Sequence, residues 1–106
     1  MSNIRVRARV TLLSSEESGR TLPVVRGSYR PNHNFGVADS REMDVGFVEF
    51  AEGESLHPGQ TIEREITFWS RPGLNEVLVP GRSWRIQEGA QLVGVGTVLE
   101  TLDESA

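Results

Sequence analysis

Ile4-Arg5-Val6-Arg7-Ala8-Arg9-Val10-Thr11-Leu12-Leu13 decides the fold class. Ile4, Val6, Ala8, Val10 and Leu12 alternate with Arg5, Arg7, Arg9 and Thr11. Successive side chains of a strand point to opposite faces, so this period of two predicts a strand with one face buried and one wet. Ser14 to Gly19 (SSEESG) is a polar break that its glycine ends as a turn. Beyond it, Pro23 to Val25 is a short extended piece and Gly27-Ser28 interrupts it. Tyr29 to Phe35 continues extended, because Pro31 keeps Arg30 out of the α region. Gly36 to Glu42 reads as a charged loop, Val45 to Phe50 as a strand containing Gly46, and Ala51 to Gln60 as a loop. In that loop Pro58-Gly59 fits the central pair of a type II turn. Thr61 to Trp69 is a long strand of β-branched and aromatic residues. Arg71 to Gly81 is mostly loop, Ser83 to Gln87 a short strand, Glu88-Gly89-Ala90 a turn, and Leu92 to Leu102 the last strand. No window carries apolar residues at helical spacing between caps. Many short strands separated by turns predict an all-β protein, an antiparallel sandwich or closed barrel. Gly46, Gly94 and Gly96 inside strands suit the sharp coiling of a small barrel.

The 106 residues are expected to form one domain, ordered over about residues 4 to 102, with a frayed polar tail. Hydrophobic residues at 37% and charged residues at 25% are an ordinary globular composition. There is no cysteine, which excludes disulfides, thiolate metal sites and a cysteine nucleophile. All 11 basic residues are arginine, so a P-loop lysine and lysine Schiff bases are excluded too. A net charge of −4 argues against a general nucleic-acid binder, though not against a local basic stripe. No apolar run is long enough for a membrane-spanning helix, and Met1 to Arg9 lacks the apolar core of a signal peptide, so the expected location is cytoplasmic.

With the turns placed, five blocks stand out in order. Val10 to Arg20 (VTLLSSEESGR) resembles a strand followed by L-S-x-E-E-G-G-R. Pro23 to Phe35 (PVVRGSYRPNHNF) resembles P-F-F-x-G-Y-R-P-Q-F-Y-F. Gly46 to Gly53 (GFVEFAEG) and Pro58-Gly59 resemble G-T-I-E-L-P-E-G and an M-P-G-D turn. Ile86 to Gly96 (IQEGAQLVGVG) resembles I-R-E-G-G-R-T-V-G-A-G. In this order the five blocks are similar to the C-terminal β-barrel domain of bacterial elongation factor Tu; the resemblance covers about residues 6 to 102 and implies a closed six-stranded antiparallel barrel. The family's GTPase domain and middle barrel have no counterpart here, so no GTP binding is expected of this chain. Thr21-Leu22-Pro23 replaces the family's H-T-P, and the loops Gly36 to Asp44 and Pro72 to Pro80 look longer.

In the family this barrel touches the T-stem backbone of aminoacyl-tRNA. Carried over residue by residue, the resemblance implies RNA contacts at Arg20, Arg30, Asn32, Arg71, Glu88 and Gly89. The family's glutamine falls at Asn32 and its lysine at Arg71, which could grip phosphate with two donors. A flanking arginine has become Gln87 and a contacting threonine Val45, so the set is partly eroded. The plainer reading is that these residues shape turns. The stripe Arg5, Arg7 and Arg9 is expected to be a solvated face paired with Glu63 and Glu65. Trp84 is expected in the core. Trp69, if exposed, is a candidate interface anchor, and Leu74, Val77 and Leu78 in the long loop are expected to add apolar surface beside it. His33 and His57 stand alone, so neither a metal nor a cofactor is expected.

The expected function is therefore a non-enzymatic binding module. It is a stand-alone barrel engaging a protein partner as a mimic, decoy or regulator linked to translation. The alternative is binding of tRNA or another structured RNA. A closed barrel leaves no edge strand to pair, so a monomer is expected.

Overall fold

The computed structural model describes residues 3–19, 24–36 and 42–102; the side chains of 24–28 and 52 lie outside this description, as does Arg20. The elements are β1 (Ile4–Leu12), α1 (Ser15–Ser18), β2 (Val24–Tyr29), β3 (Asn32–Asn34), β4 (Asp44–Leu56), β5 (Thr61–Phe68), α2 (Leu74–Val77), β6 (Ser83–Glu88) and β7 (Gln91–Thr101). All strand pairs are antiparallel. The order β4-β3-β6-β7-β1-β5 closes on itself because β5 also pairs with β4, Val48 opposite Ile66 and Gly46 opposite Phe68. β2 and β3 are two halves of one barrel strand. Both face β4 in one register, with Tyr29 opposite Val48 and Asn32 opposite Val45. Pro31, which has no N–H to give the ladder, interrupts them. The barrel is thus six-stranded, as the resemblance implies.

The opening strand behaves as its alternation requires: Val6 and Ala8 are fully buried, while Arg7 and Arg9 are exposed. Inside, Phe68 and Trp84 pack edge to face at 5.9 Å, and Phe35 stacks on Trp84 at 5.2 Å. One polar ring joins them. His33 is buried, and its Nδ1 accepts from Trp84 Nε1 at 3.0 Å, since an indole N–H can only donate. His33 Nε2 therefore carries the hydrogen and donates to Gly46 O at 3.2 Å. Burial lowers this ring from the usual 6.5 to about 4, against the opposing pull of Gly46 and Asp44, so it is neutral at pH 7.

The structure adds three features to the sequence reading. α1 is a single helical turn held by a capping box: Glu17 N donates to Ser14 Oγ at 3.2 Å, and Ser14 N donates to Glu17 Oε1 at 3.2 Å. β4 runs through Ala51 to Leu56, where a loop is expected. After a register shift, Val24 and Val25 pair with Leu56 and Ser55. The loops on either side of β5 are not loose. Pro58-Gly59, Pro72-Gly73 and Pro80-Gly81 each form a turn with glycine at φ 89, 84 and 89. Each is closed by a backbone hydrogen bond: Gln60 to His57, Leu74 to Arg71, and Arg82 to Val79. The last two turns bracket α2.

Candidate functional site

The alternation of β5 buries Ile66 and Phe68 and turns Thr67 and the residue after the strand, Trp69, outward. Trp69 is 52% exposed, and its N–H donates to Val45 O at 3.0 Å, which sets it beside the first turn-out residue of β4. Val45 is itself 39% exposed. Two residues on, Phe47 also faces outward, with its ring centroid 5.9 Å from that of Trp69. Arg30, held extended by the following proline, carries its guanidinium carbon 5.4 Å over the Phe47 ring, within cation–π range. Asn32, the next outward residue of that strand, is exposed opposite Val45. Arg30, Asn32, Val45, Phe47 and Trp69 thus make one continuous outer face across β3, β4 and the end of β5.

Arg71 borders this face but is engaged. Its Nε donates to Asp44 Oδ1 at 2.6 Å, its Nη2 to Asp44 Oδ2 at 3.0 Å, and its Nη1 to Pro72 O at 3.1 Å. Hydrogen bonding to the nearly buried Asp44 carboxylate raises its pKa further. The pair ties the segment after β5 to the start of β4. The two-donor grip expected to face phosphate is therefore on Asp44. Glu88 accepts from Tyr29 Oη at 2.7 Å. Gly89 sits in the β6–β7 turn at φ 62, and a Cβ there would meet nothing within 4 Å, so its backbone angle accounts for the glycine. Asn32 pairs with Gln87 across the β3–β6 ladder, which places the Glu88-Gly89 turn at the edge of the same outer face.

Of the residues expected to add apolar surface, Leu74 and Leu78 do not. Both are buried in the core, and Val77 packs against it. The physical reason is α2: one helical turn puts residues i, i+3 and i+4 on a common face, and here that face closes the barrel interior. Trp84 is in the core, as expected. In the arginine stripe, Arg5 is paired with Glu65 at 2.6 Å and Arg7 with Glu63 at 3.6 Å. Among the described residues no group of three or more His, Asp or Glu side chains could hold a metal ion, and no helix is long and apolar enough to cross a membrane. Arg20 lies outside the described residues. Sequence reasoning missed Phe47 and Val45 as members of the face; the outward parity of the β4 strand is the signal that marks them.

A closed six-stranded antiparallel barrel with one aromatic and arginine-bearing outer face defines a small β-barrel module. Over 99 residues the chain is 38% identical to elongation factor Tu 2 of Streptomyces avermitilis, a match spanning 93% of this chain and 23% of that protein. The chain is thus similar to a segment of that elongation factor and folds as a closed barrel, and it corresponds to less than a quarter of the relative's length. No family model matches it.

Proposed function

We propose that this barrel is a non-enzymatic, cytoplasmic binding module of translation-factor type that engages a protein partner through the β3–β4–β5 face. The observation that carries the reading is Trp69, half exposed on Phe47 and beside Val45. Large aromatics and arginine are the side chains that concentrate binding energy at protein interfaces. A second reading, contact with structured RNA, is favoured by the placement of Arg30, Asn32 and the Glu88-Gly89 turn at one end of the same face. It is weakened by Asp44, which already engages the Arg71 fork. The test is capture from a nuclease-treated bacterial lysate by the whole chain and by its Trp69→Ala variant. A stoichiometric protein held by the first and lost from the second supports the protein reading. Capture of RNA alone from an untreated lysate, equal for both chains and washed off by salt, overturns it in favour of the RNA reading.

A further inference from the structure

The partner reading of the Trp69 face leaves open what chemistry the partner brings, and the charge arrangement narrows it. We propose, resting on that reading, that the partner presents a peptide segment in which an Asp or Glu lies next to a large apolar side chain. The carboxylate is taken by Arg30, and the apolar side chain packs on Trp69, Phe47 and Val45.

Three carboxylates near the face already have partners on this chain. Glu65 is paired with Arg5, Asp44 with Arg71, and Glu88 accepts from Tyr29. Arg30 differs from them: it is exposed, and among the described residues no carboxylate lies within ion-pair distance of it. Its guanidinium carbon lies 5.4 Å from the Phe47 ring centroid, and a guanidinium presents its N–H donors along the edge of a planar fork. That edge is the geometry a carboxylate accepts from with both oxygens. The acidic side of the face begins at Glu49, exposed two residues beyond Phe47 on β4 and opposite Ser28. A negatively charged segment is therefore drawn to the Arg30–Asn32 side and away from Glu49. This polarity fixes the segment's direction across the apolar patch as well as its charge. An RNA would also bring anions to Arg30, but it has no hydrocarbon side chain to cover Val45.

The test is selection from a phage-displayed random peptide library on the immobilised whole chain, depleted beforehand on the Trp69→Ala variant. The expected result is enrichment of Asp or Glu adjacent to Trp, Phe or Leu. A synthetic peptide of the enriched sequence should bind Arg30→Gln roughly tenfold or more weakly, the loss expected for a charge-assisted two-point contact. Its affinity for the unmodified chain should fall as salt is raised. Both substitutions replace exposed side chains, and unchanged emission from the buried Trp84 verifies the fold. Enrichment of peptides lacking acids or flanked by basic residues, or equal binding to Arg30→Gln, overturns the acidic-segment proposal while leaving the Trp69 site standing. Peptides that bind Trp69→Ala equally well overturn the site itself. No enrichment, with bulk tRNA binding at low salt instead, overturns the peptide proposal and returns the face to RNA.

Discussion

Lowering the pH should destabilise this barrel through one buried ring. His33 is held neutral by two directed bonds: Nδ1 accepts from the Trp84 indole and Nε2–H donates to Gly46 O. A proton added at Nδ1 would face the indole N–H, donor against donor, in a site without exposure to water. The folded-state value is lowered by burial to about 4, while the unfolded chain keeps the ordinary 6.5. Below pH 6.5 the unfolded state therefore binds the proton more readily, and stability drains away as pH falls from 6.5 through about 4. The full loss corresponds to about 3 kcal/mol, a large share of a small domain's stability. The measurement is urea unfolding of the native chain and of His33→Gln at pH values from 7.5 to 4. Glutamine can still accept from Trp84 and donate to Gly46, but it does not titrate. Carboxylates titrate in both proteins and cancel in the difference. The stability difference between the two should shrink by about 3 kcal/mol over the window. Parallel pH profiles, or an NMR titration of the His33 ring near 6.5, would refute the reasoning.

Three further outcomes follow from packing and capping. Gly96→Ala places a Cβ 2.3 Å from the buried Trp84 ring, so calorimetry should find a loss of about 3 kcal/mol or no folded protein. Arg71→Gln leaves the Asp44 carboxylate without its cation; because the arginine is half exposed, the expected cost is about 1–2 kcal/mol, and a double-mutant cycle with Asp44→Asn should recover part of it. Ser14→Ala removes a capping-box acceptor and should cost about 1 kcal/mol in denaturant unfolding, with no change in the β-sheet circular dichroism.

The fold was legible wherever local pattern and tertiary role agree. The alternation of Ile4 to Leu12 demands a half-buried strand, and the barrel supplies one. Pro58-Gly59 demands a turn and makes one. Two helical turns carried signals that their neighbours obscured. Ser14 and Glu17 have the spacing of a capping box, but the helix that they start is only one turn long. Leu74, Val77 and Leu78 have helical spacing, but the Pro-Gly pairs on either side read as loop. The second half of β4, with Glu52, Gly53 and Glu54, has little strand propensity of its own; pairing with Val24 and Val25 carries it. The site was only half legible. Trp69 follows from parity along one strand. Its meeting with Phe47 and Arg30 depends on two inter-strand registers joining distant segments, which no local window contains.

That meeting changes how any binding experiment on this barrel must be designed. Arg30 and Asn32, which the family resemblance assigns to RNA, and Trp69, which exposure assigns to a protein partner, share one face. Loss of binding on replacing Arg30 or Trp69 would therefore fit either ligand. The two differ in what they require of Arg71. A phosphate backbone would have to draw its guanidinium away from Asp44 and leave a nearly buried carboxylate unpaired. A peptide resting on Trp69 and Phe47 needs no such rearrangement. RNA binding should thus strengthen when Asp44→Asn releases the arginine, whereas peptide binding should be unchanged. Direct titration of that variant with tRNA and with an acidic aromatic peptide separates the readings: stronger tRNA binding with a steep salt dependence would place Arg71 in an RNA contact, and unaltered peptide affinity with no gain for tRNA would leave the arginine as a structural tie between β4 and the segment after β5.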